Sequence, residues 1–414
     1  MGDSASQRQQ DGLHFEPSQQ VRLFKKQLDE FLRQEVEPLE DEYEQFLGEY
    51  GERNRVGDDG RLVDEYLDVR ETIQRRSHEA GFYTMYMPEE YGGGGLSNLE
   101  FTQVIEHLHY RNPDGFHELI LDTLSVRPAV IPMAHDDYQR ERYFDPIMAA
   151  DKHLAFGLTE PDHGSDVTWM DTTAEKDGDE WVINGAKCFT TNAPYADFIT
   201  VYARTSGEDG DARGISSFIV DADNPGWEVG KVQPPMGTQV GEQSFNHFTN
   251  CRVPDSHMVG EEGEALIDAM SWVNAARIRL PAEAVGRCQW MVEQCIEYAK
   301  DRKTFGKPIG ERQFVQGHLA DMRADIEMVR WLYRYAAWEI DRDNEPRWLL
   351  SAAKLRGAEL WWDVADRAVQ IHGGAGYMRS LPFESELRTA RAARIYDGTD
   401  EVQRRTIARD LLNL

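Results

Sequence analysis

EWVINGAKCFTT (180–191), followed by DFITVYAR (197–204) and ISSFIVDA (215–222), is where the chain changes character. Each run is short and rich in β-branched and aromatic residues, and turn formers such as Asp177-Gly178-Asp179 bound them. This is the pattern of strands. It recurs in HLAFGLT (153–159), DTTAEK (171–176), WEVGKV (227–232) and SFNHFTNCRV (244–253). Several strands at such spacing predict a small β-sandwich or barrel. None of them runs into a GxGxxG helix, so a Rossmann nucleotide domain is excluded.

On either side the period is helical. From 18 to 46, Val21, Phe24, Leu28, Phe31, Leu32 and Val36 recur at three- and four-residue steps, with Pro38 placed to kink or end the helix. Further helices are expected over 63–80, stopped by Gly81, and over 98–109, 116–124 and 137–149. The GGGG loop at 92–95 reads as a flexible connection, and His107 and His109 as surface or core residues rather than ligands. Beyond Gly263, helices are expected over 265–300, bent by Pro281, and over 312–341 and 348–372, followed by two more near the C-terminus. Long helices with short loops predict a four-helix bundle. The fold class is therefore α+β multidomain, with an N-terminal helical domain (1–152), a middle small β-domain (153–262) and a C-terminal four-helix bundle (263–414).

The chain has 414 residues, enough for two or three domains with sizeable cores. No apolar run approaches the roughly 20 residues that span a bilayer, so no membrane insertion is expected. Residues 1–17 are polar and read as loose; Gly2 and Ser6 match the N-myristoylation pattern by chance. Cys188, Cys251, Cys288 and Cys295 show no CxxC spacing. Neither a metal site nor a disulfide framework is expected, and a reducing cytoplasmic location fits. The net charge is −29, from 74 acidic and 45 basic residues, and only 10 of the basic ones are lysines. The excess acid is dispersed, which argues against nucleic acid and anionic membranes as partners. It suits a halophilic, high-salt cytoplasm where self-repulsion is screened.

Near the C-terminus, RAARIYDGTDEVQRR (391–405) sets one carboxylate, Asp397, at a Gly-Thr break between two helical runs. Gly398 readily takes the angles that stop a helix, and Thr399 or Asp400 can cap the next one. Asp-Gly pairs are commonly plain turns. Twenty residues earlier, DRAVQIHGGAGY (366–377) ends a helix in a glycine cluster that another molecule can approach closely.

Together the two segments resemble the C-terminal signature of the acyl-CoA dehydrogenase family, and the helical, β, helical order resembles its three-domain architecture. The resemblance covers the chain from about residue 20 onward. It implies α,β-dehydrogenation of an acyl-CoA in fatty acid metabolism, with FAD as cofactor. Asp397 would remove the α-proton, where the family usually has Glu; the β-hydride would pass to flavin N5. The alternative base position on the helix, directly before Arg277, is Ala276 here. FGLTEPDHGSD (156–166) resembles the family's first signature, which implies flavin contacts from Phe156, Leu158 and Thr159 and places Ser165 near cofactor and substrate. Asp162 and His163 stand where small residues are usual. In INGAKCFTTNA, Phe189 occupies a position commonly held by Trp against the flavin, and Thr191 the hydroxyl position near N5; an ordinary strand with an inward Phe is the other reading. RKTFGKPIGERQ (302–313) is similar to the segment that reaches a neighbouring subunit's FAD. This implies cofactor contacts from Arg302, Thr304, Phe305 and Gln313, with Gln370, Gly373 and Gly374, and a homodimer or homotetramer. Thr399 and Glu401 complete the implied cofactor set. Asn274, Arg277, Gly398 and Arg409 match positions that contact the substrate or its CoA part. The N–H of Asp397 would donate to the thioester oxygen, and an apolar pocket would raise the Asp397 pKa towards neutrality. An electron-transfer flavoprotein is the implied acceptor. DEVQ after Gly398 and AAWEID upstream resemble the branch with an aspartate base, associated with longer, branched or 4-hydroxylated acyl chains.

Two further readings share the scaffold. A nitroalkane-oxidase-like enzyme also uses aspartate but passes electrons to oxygen; Arg277, Arg409 and Ser165 favour a CoA thioester. A non-catalytic scaffold has no need of Arg302 and Gln370 together. The charge alone yields a prediction: dialysis from molar salt to low salt should lower the thermal midpoint, and an unchanged midpoint would remove the high-salt reading.

Overall fold

The computed structural model describes residues 16–48, 51–111, 115–122, 125–237, 240–344 and 346–414, with the side chains at 267, 268, 271 and 272 left aside. Gly2, Ser6 and most of the polar N-terminus lie outside these residues, as does Leu124. Two compact units are present. One comprises the residues up to Gly51, Gly95–Glu118 and Asn274–Leu414; the other comprises Glu52–Gly94 and Leu119–Val273. The N-terminal helical segment thus contributes to both.

In the first unit α1 spans Gln19–Phe31 and buries Val21, Leu28 and Phe31; the Ser18 hydroxyl caps it by accepting from the Val21 N–H at 3.1 Å. A π-type turn over Leu32–Val36 leads into a short helix, Glu37–Glu42. Pro38 sits in the first turn of that helix, where its missing N–H would have no partner anyway. Of the helix expected over 116–124, only a 3₁₀ turn forms, His117–Ile120. Just past it the Asp122 carboxylate takes the N–H and hydroxyl of Ser125, and such local side-chain bonds compete with a helix.

The second unit holds α2 (Asp64–Glu79), which stops before Gly81 at φ 81°. In the first unit α3 (Asn98–His109) opens on a reciprocal capping box between Ser97 and Glu100. The glycine run is a packed turn rather than a loose connection. A Cβ on Gly93 would stand 2.1 Å from the Met87 carbonyl oxygen, and one on Gly94 2.8 Å from the Met85 Cα.

Eight strands follow: β1 (Leu154–Gly157), β2 (Thr173–Asp177), β3 (Glu180–Thr190), β4 (Phe198–Arg204), β5 (Ile215–Asp221), β6 (Trp227–Val232), β7 (Ser244–Pro254) and β8 (Met258–Val259). They are hydrogen-bonded along one path, β6-β7-β3-β2-β4-β5-β8, with β1 parallel to β4. The two halves join at a single residue pair, Thr173 with Arg204. Both halves feed one core: Trp181, Ile183, Phe248 and Val253 from one, Ile199, Val201, Phe218 and Val220 from the other. The domain packs as a sandwich even though its hydrogen bonds run unbroken.

The helices α4 (Ala265–Asp301), α5 (Gln313–Ile340), α6 (Arg347–His372), α7 (Phe383–Ala393) and α8 (Asp400–Leu412) complete the described residues. Pro281 lies inside α4 without ending it, and Gly357 of α6 meets it there, since a Cβ on Gly357 would be 2.6 Å from the proline ring. Polar anchors bind α3 to α5: Glu106 takes Arg330 and Arg334 at 2.8 Å each and also Tyr333, while Asp341 takes the N–H groups of Asn98 and Leu99. No described helix is long and apolar enough to cross a membrane. All four cysteines are free and buried.

His109 is a core residue, 5% exposed, and burial pushes its pKa down to about 3. Because the folded value is depressed, the stability this ring contributes is present above the unfolded value near 6.5. It is lost as pH falls towards 3, since only the unfolded chain binds the proton. His109→Leu should therefore flatten the dependence of unfolding free energy on pH between 6 and 4, by up to about 1.4 kcal/mol per pH unit. Urea titrations at several pH values measure this; an unchanged slope contradicts it.

Candidate active site

The carboxylate of the C-terminal motif stands on a turn that is bent the wrong way for most L-residues. α7 ends at Ala393, earlier than the sequence suggests, and the N–H groups of Ile395 and Tyr396 both return to the Ala392 carbonyl at 2.8 and 3.1 Å. Asp397 itself then takes φ 54°, and Gly398 takes 90°. Asp tolerates the left-handed region better than most residues, yet it still costs on the order of 1 kcal/mol. Buried donors hold the turn. Gln403 Nε2 donates to the carbonyls of Asp397 and Gly398 at 3.1 and 2.9 Å, and Lys354 Nζ donates to that of Gly398 at 2.7 Å. The Thr399 hydroxyl caps α8 by accepting from the Val402 N–H, and Arg394 ties Asp400 at 2.7 Å. Gly398 is required sterically as well: a Cβ there would lie 2.7 Å from Gln403 Nε2 and 3.5 Å from Arg277 Nη2. The Asp397 N–H takes no partner among the described residues.

The surroundings of Asp397 differ from the apolar pocket expected, because two buried cations share its neighbourhood. Lys354 is fully buried and Arg277 is 6% exposed. Burial lowers the pKa of both, that of Lys354 to about 8, and for both the Asp397 carboxylate is the largest opposing influence. Arg277 also donates to Asn274 Oδ1 at 3.3 Å, so these two substrate candidates meet on α4. Arg409 does not join them. It is exposed in the last turn of α8, with its Nε 3.4 Å from the Leu414 carbonyl. Nothing local in the sequence marks Gln403, and the only signal for Lys354 is its place among alanines and leucines in SAAKLRGAEL (351–360).

In the other unit, the two sheet motifs are clamped together. Lys187 on β3 donates to Glu160 at 2.7 Å and to the Leu158 carbonyl at 3.2 Å, and both side chains of this pair are buried. Glu160 also accepts from the N–H groups of Asp171 and Thr172, and the Thr159 carbonyl accepts from the Cys188 N–H at 2.9 Å. Burial lowers the Lys187 pKa to about 8, against the pull of Glu160. Phe189 is not an inward strand residue. Its φ is 53°, its N–H donates to Gln233 Oε1 at 3.0 Å, and its ring is 63% exposed. Beside it, Thr191 is half-buried, and the Thr190 hydroxyl is buried without a partner. Ser165 and Asp162 are exposed, and His163 pairs with Asp166 at 3.3 Å, which raises its pKa. Phe156 and Leu158 are half-buried against Met170, Tyr202 and Ile215.

The third group lies on the surface of the first unit. After α4, Lys303–Thr304 and Lys307–Pro308 pair as a two-residue hairpin with Phe305 and Gly306 at its tip, at φ 50° and 79°. That combination is the turn that suits a tight hairpin. Arg312 steadies it by donating to the Thr304 carbonyl at 2.7 Å. Phe305 is 99% exposed, and Arg302, Gln313, Gln370, Gly373 and Gly374 are exposed too. A Cβ on Gly374 would meet nothing within 4 Å, so none of the described residues demands glycine there. Thr399 is engaged as a cap and Glu401 is exposed.

Among the described residues, His109, His117 and Glu118 converge closely enough to hold a metal ion. The Arg287 guanidinium already pairs with Glu118, however, and so supplies the cation.

Comparison with known proteins places the whole fold among described families. Family models describing the acyl-CoA dehydrogenase N-terminal, middle and C-terminal domains match residues 18–151, 155–251 and 266–412. The 3-(aryl)acrylate reductase of Clostridium sporogenes is 33% identical over 95% of this chain and 99% of its own. The cyclohexane-1-carbonyl-CoA dehydrogenase of Geobacter metallireducens is 32% identical over 87% of this chain and 94% of its own. A solved FAD complex of PigA superposes with a TM-score of 0.83 at 26% identity, covering 96% of this chain and 99% of that one.

The clamp between the sheet motifs can be tested directly. Glu160→Gln leaves Lys187 buried without its counter-charge, and breaking such a pair costs about 3–5 kcal/mol. Chemical denaturation should register that loss; a change below 1 kcal/mol would show that the pair contributes little.

Proposed function

The chain belongs to the acyl-CoA dehydrogenase family, and from that premise we propose that it dehydrogenates an acyl-CoA thioester between Cα and Cβ, with Asp397 as the base. The observation that carries the reading is the Asp397–Gly398 turn, where a carboxylate and an unpartnered N–H share one residue held in the left-handed region. A carboxylate is too weak a base for an α-proton unless the developing enolate is stabilised. An N–H aimed at the thioester oxygen contributes roughly 3–4 kcal/mol of such stabilisation. Asp397 would supply both: the Cα–H bond breaks, the proton passes to the carboxylate, and the N–H holds the carbonyl oxygen. Asn274, Arg277 and Ser165 are proposed to hold the substrate and its CoA portion. Aspartate is a methylene shorter than the family's usual glutamate, and a misplacement of about 1 Å can lower a rate on the order of 100-fold.

The cofactor is FAD, as in the PigA complex. When bound, it supplies the acceptor for the β-hydride. The residues present fit it: an outward, strained Phe189 beside an unpartnered Thr190 hydroxyl suits the flavin ring, with Thr159 and Thr191 at its edge. The exposed Arg302, Phe305, Gln313, Gln370, Gly373 and Gly374, with the half-buried Thr304, suit the dinucleotide of a second copy, with Arg302 matching a pyrophosphate. Thr399 and Glu401 remain within the proposed cofactor set. An oligomer, a cytoplasmic location and an electron-transfer flavoprotein as acceptor belong to the same reading.

A second reading rests on the aryl-acrylate reductase relative. The same residues could run the reaction backwards, Asp397 returning a proton to Cα of an α,β-unsaturated acid derivative, with the hydride to Cβ being what reduced FAD would supply when bound.

Anaerobic titration of the protein, kept in high salt, with short, long, branched, hydroxylated and aryl acyl-CoAs should bleach the flavin for one class. Asp397→Asn should retain FAD and lose more than 1000-fold in bleaching rate. If no thioester bleaches the oxidised flavin but an aryl acrylate reoxidises the reduced form, the reductase reading replaces this one. Oxygen consumption without an added acceptor points to an oxidase.

A further inference from the structure

Lys354 sits on α6, fully buried, with its ammonium 2.7 Å from the Gly398 carbonyl. Buried lysine is expensive unless its charge is used. A neutral donor such as Gln403 already reaches the same carbonyl at 2.9 Å, so the hydrogen bond alone does not call for a cation. The acidic groups acting on Lys354 are Asp397, Asp400 and Glu401, and Arg277 acts as the like charge. Asp400 is already paired with Arg394 at 2.7 Å, and Glu401 is exposed on the outer face of α8. Asp397 is left as the anion that Lys354 answers.

We propose that Lys354 is a positioning residue for the reaction: held on the Gly398 carbonyl, it fixes the left-handed Asp397–Gly398 turn and supplies the positive charge that keeps the Asp397 carboxylate ready to accept a proton. The inference rests on the reading of Asp397 as the base. Two consequences follow. Losing the ammonium leaves the neutral Gln403 amide to hold the Gly398 carbonyl without a cation, which loosens the first turn of α8 behind it. Losing the charge also removes the group whose deprotonation sets the alkaline limb of the rate–pH profile. With the Lys354 pKa near 8, the wild-type rate should fall as pH rises above that value and the ammonium deprotonates.

The test compares the FAD-loaded wild type with Lys354→Met and Lys354→Arg. The first readout needs no substrate: hydrogen exchange of the Asp400, Val402 and Gln403 amides. At least tenfold faster exchange is expected in Lys354→Met. The second readout is the pH profile of anaerobic flavin bleaching by an active acyl-CoA. Lys354→Met should bleach about 100-fold more slowly with its substrate Kd changed by less than threefold, and with no limb near pH 8. Lys354→Arg, whose guanidinium stays charged, should keep more of the rate and also lose that limb. If the Met variant does not fold, the Arg profile decides: a limb that persists near pH 8 overturns the proposal. Unchanged exchange, or a Met variant with the wild-type rate and profile, overturns it as well. A wild type that no thioester bleaches instead sinks the dehydrogenase reading, while the exchange comparison still judges the role of Lys354 in the turn.

Discussion

A turn bent into the left-handed region by a residue other than glycine keeps its shape only if the rest of the fold occupies its carbonyls and leaves it no easier conformation. The candidate site depends on that constraint. Among the described residues eight non-glycine positions have positive φ, and Phe189, Asn192, Asp397 and Phe305 are four of them. Each lies in a segment that carries candidate chemistry. At Asp397 the support comes from Gln403 and Lys354, and at Phe189 from Gln233. At Asn192 it comes from Arg70, which donates to its side-chain oxygen at 3.1 Å.

Buried charge is the means by which this support is delivered. The surface of the chain is strongly acidic, but several of its basic groups are inside, each on a defined acceptor. Lys187 clamps the loop after β1 to β3. Arg287 joins Glu283 and Glu386 at 3.3 and 2.7 Å, with Trp361 donating to Glu386 at 2.8 Å. Such clusters are poor sources of net stability, since desolvation offsets most of their attraction. Their value is geometric, because an unpaired alternative is far worse than the observed pairing. A chain with only 10 lysines that buries two of them completely, Lys187 and Lys354, has placed them where a carbonyl must be held still.

The glycines mark the opposite solution. Gly93 and Gly94 bring backbone against Met85 and Met87, where any side chain would collide. A Cβ on Gly374 would meet none of the described residues, which fits a surface kept clear for another molecule. The same residue type thus has an internal reason in one loop and an external one in the other.

The amino-acid sequence by itself determined the helical, β, helical order, a cap for α8 at Thr399 or Asp400, and the placing of an acid, Asp397, at the break between α7 and α8. Those features depend on periodicity and turn chemistry within a few residues, which any short window displays. The helix over 116–124 failed because Asp122 found Ser125 and His153, and the second of these is 31 residues away. Only the tertiary structure decided that Phe189 faces outward, that His109 is core, and that Lys354 and Arg277 are buried within electrostatic reach of Asp397. Lys354 and Gly398 are 44 residues apart, one on α6 and the other in the turn before α8, and the packing of those elements fixes what is buried. A lysine's burial and partners are properties of that packing, and no local pattern encodes them.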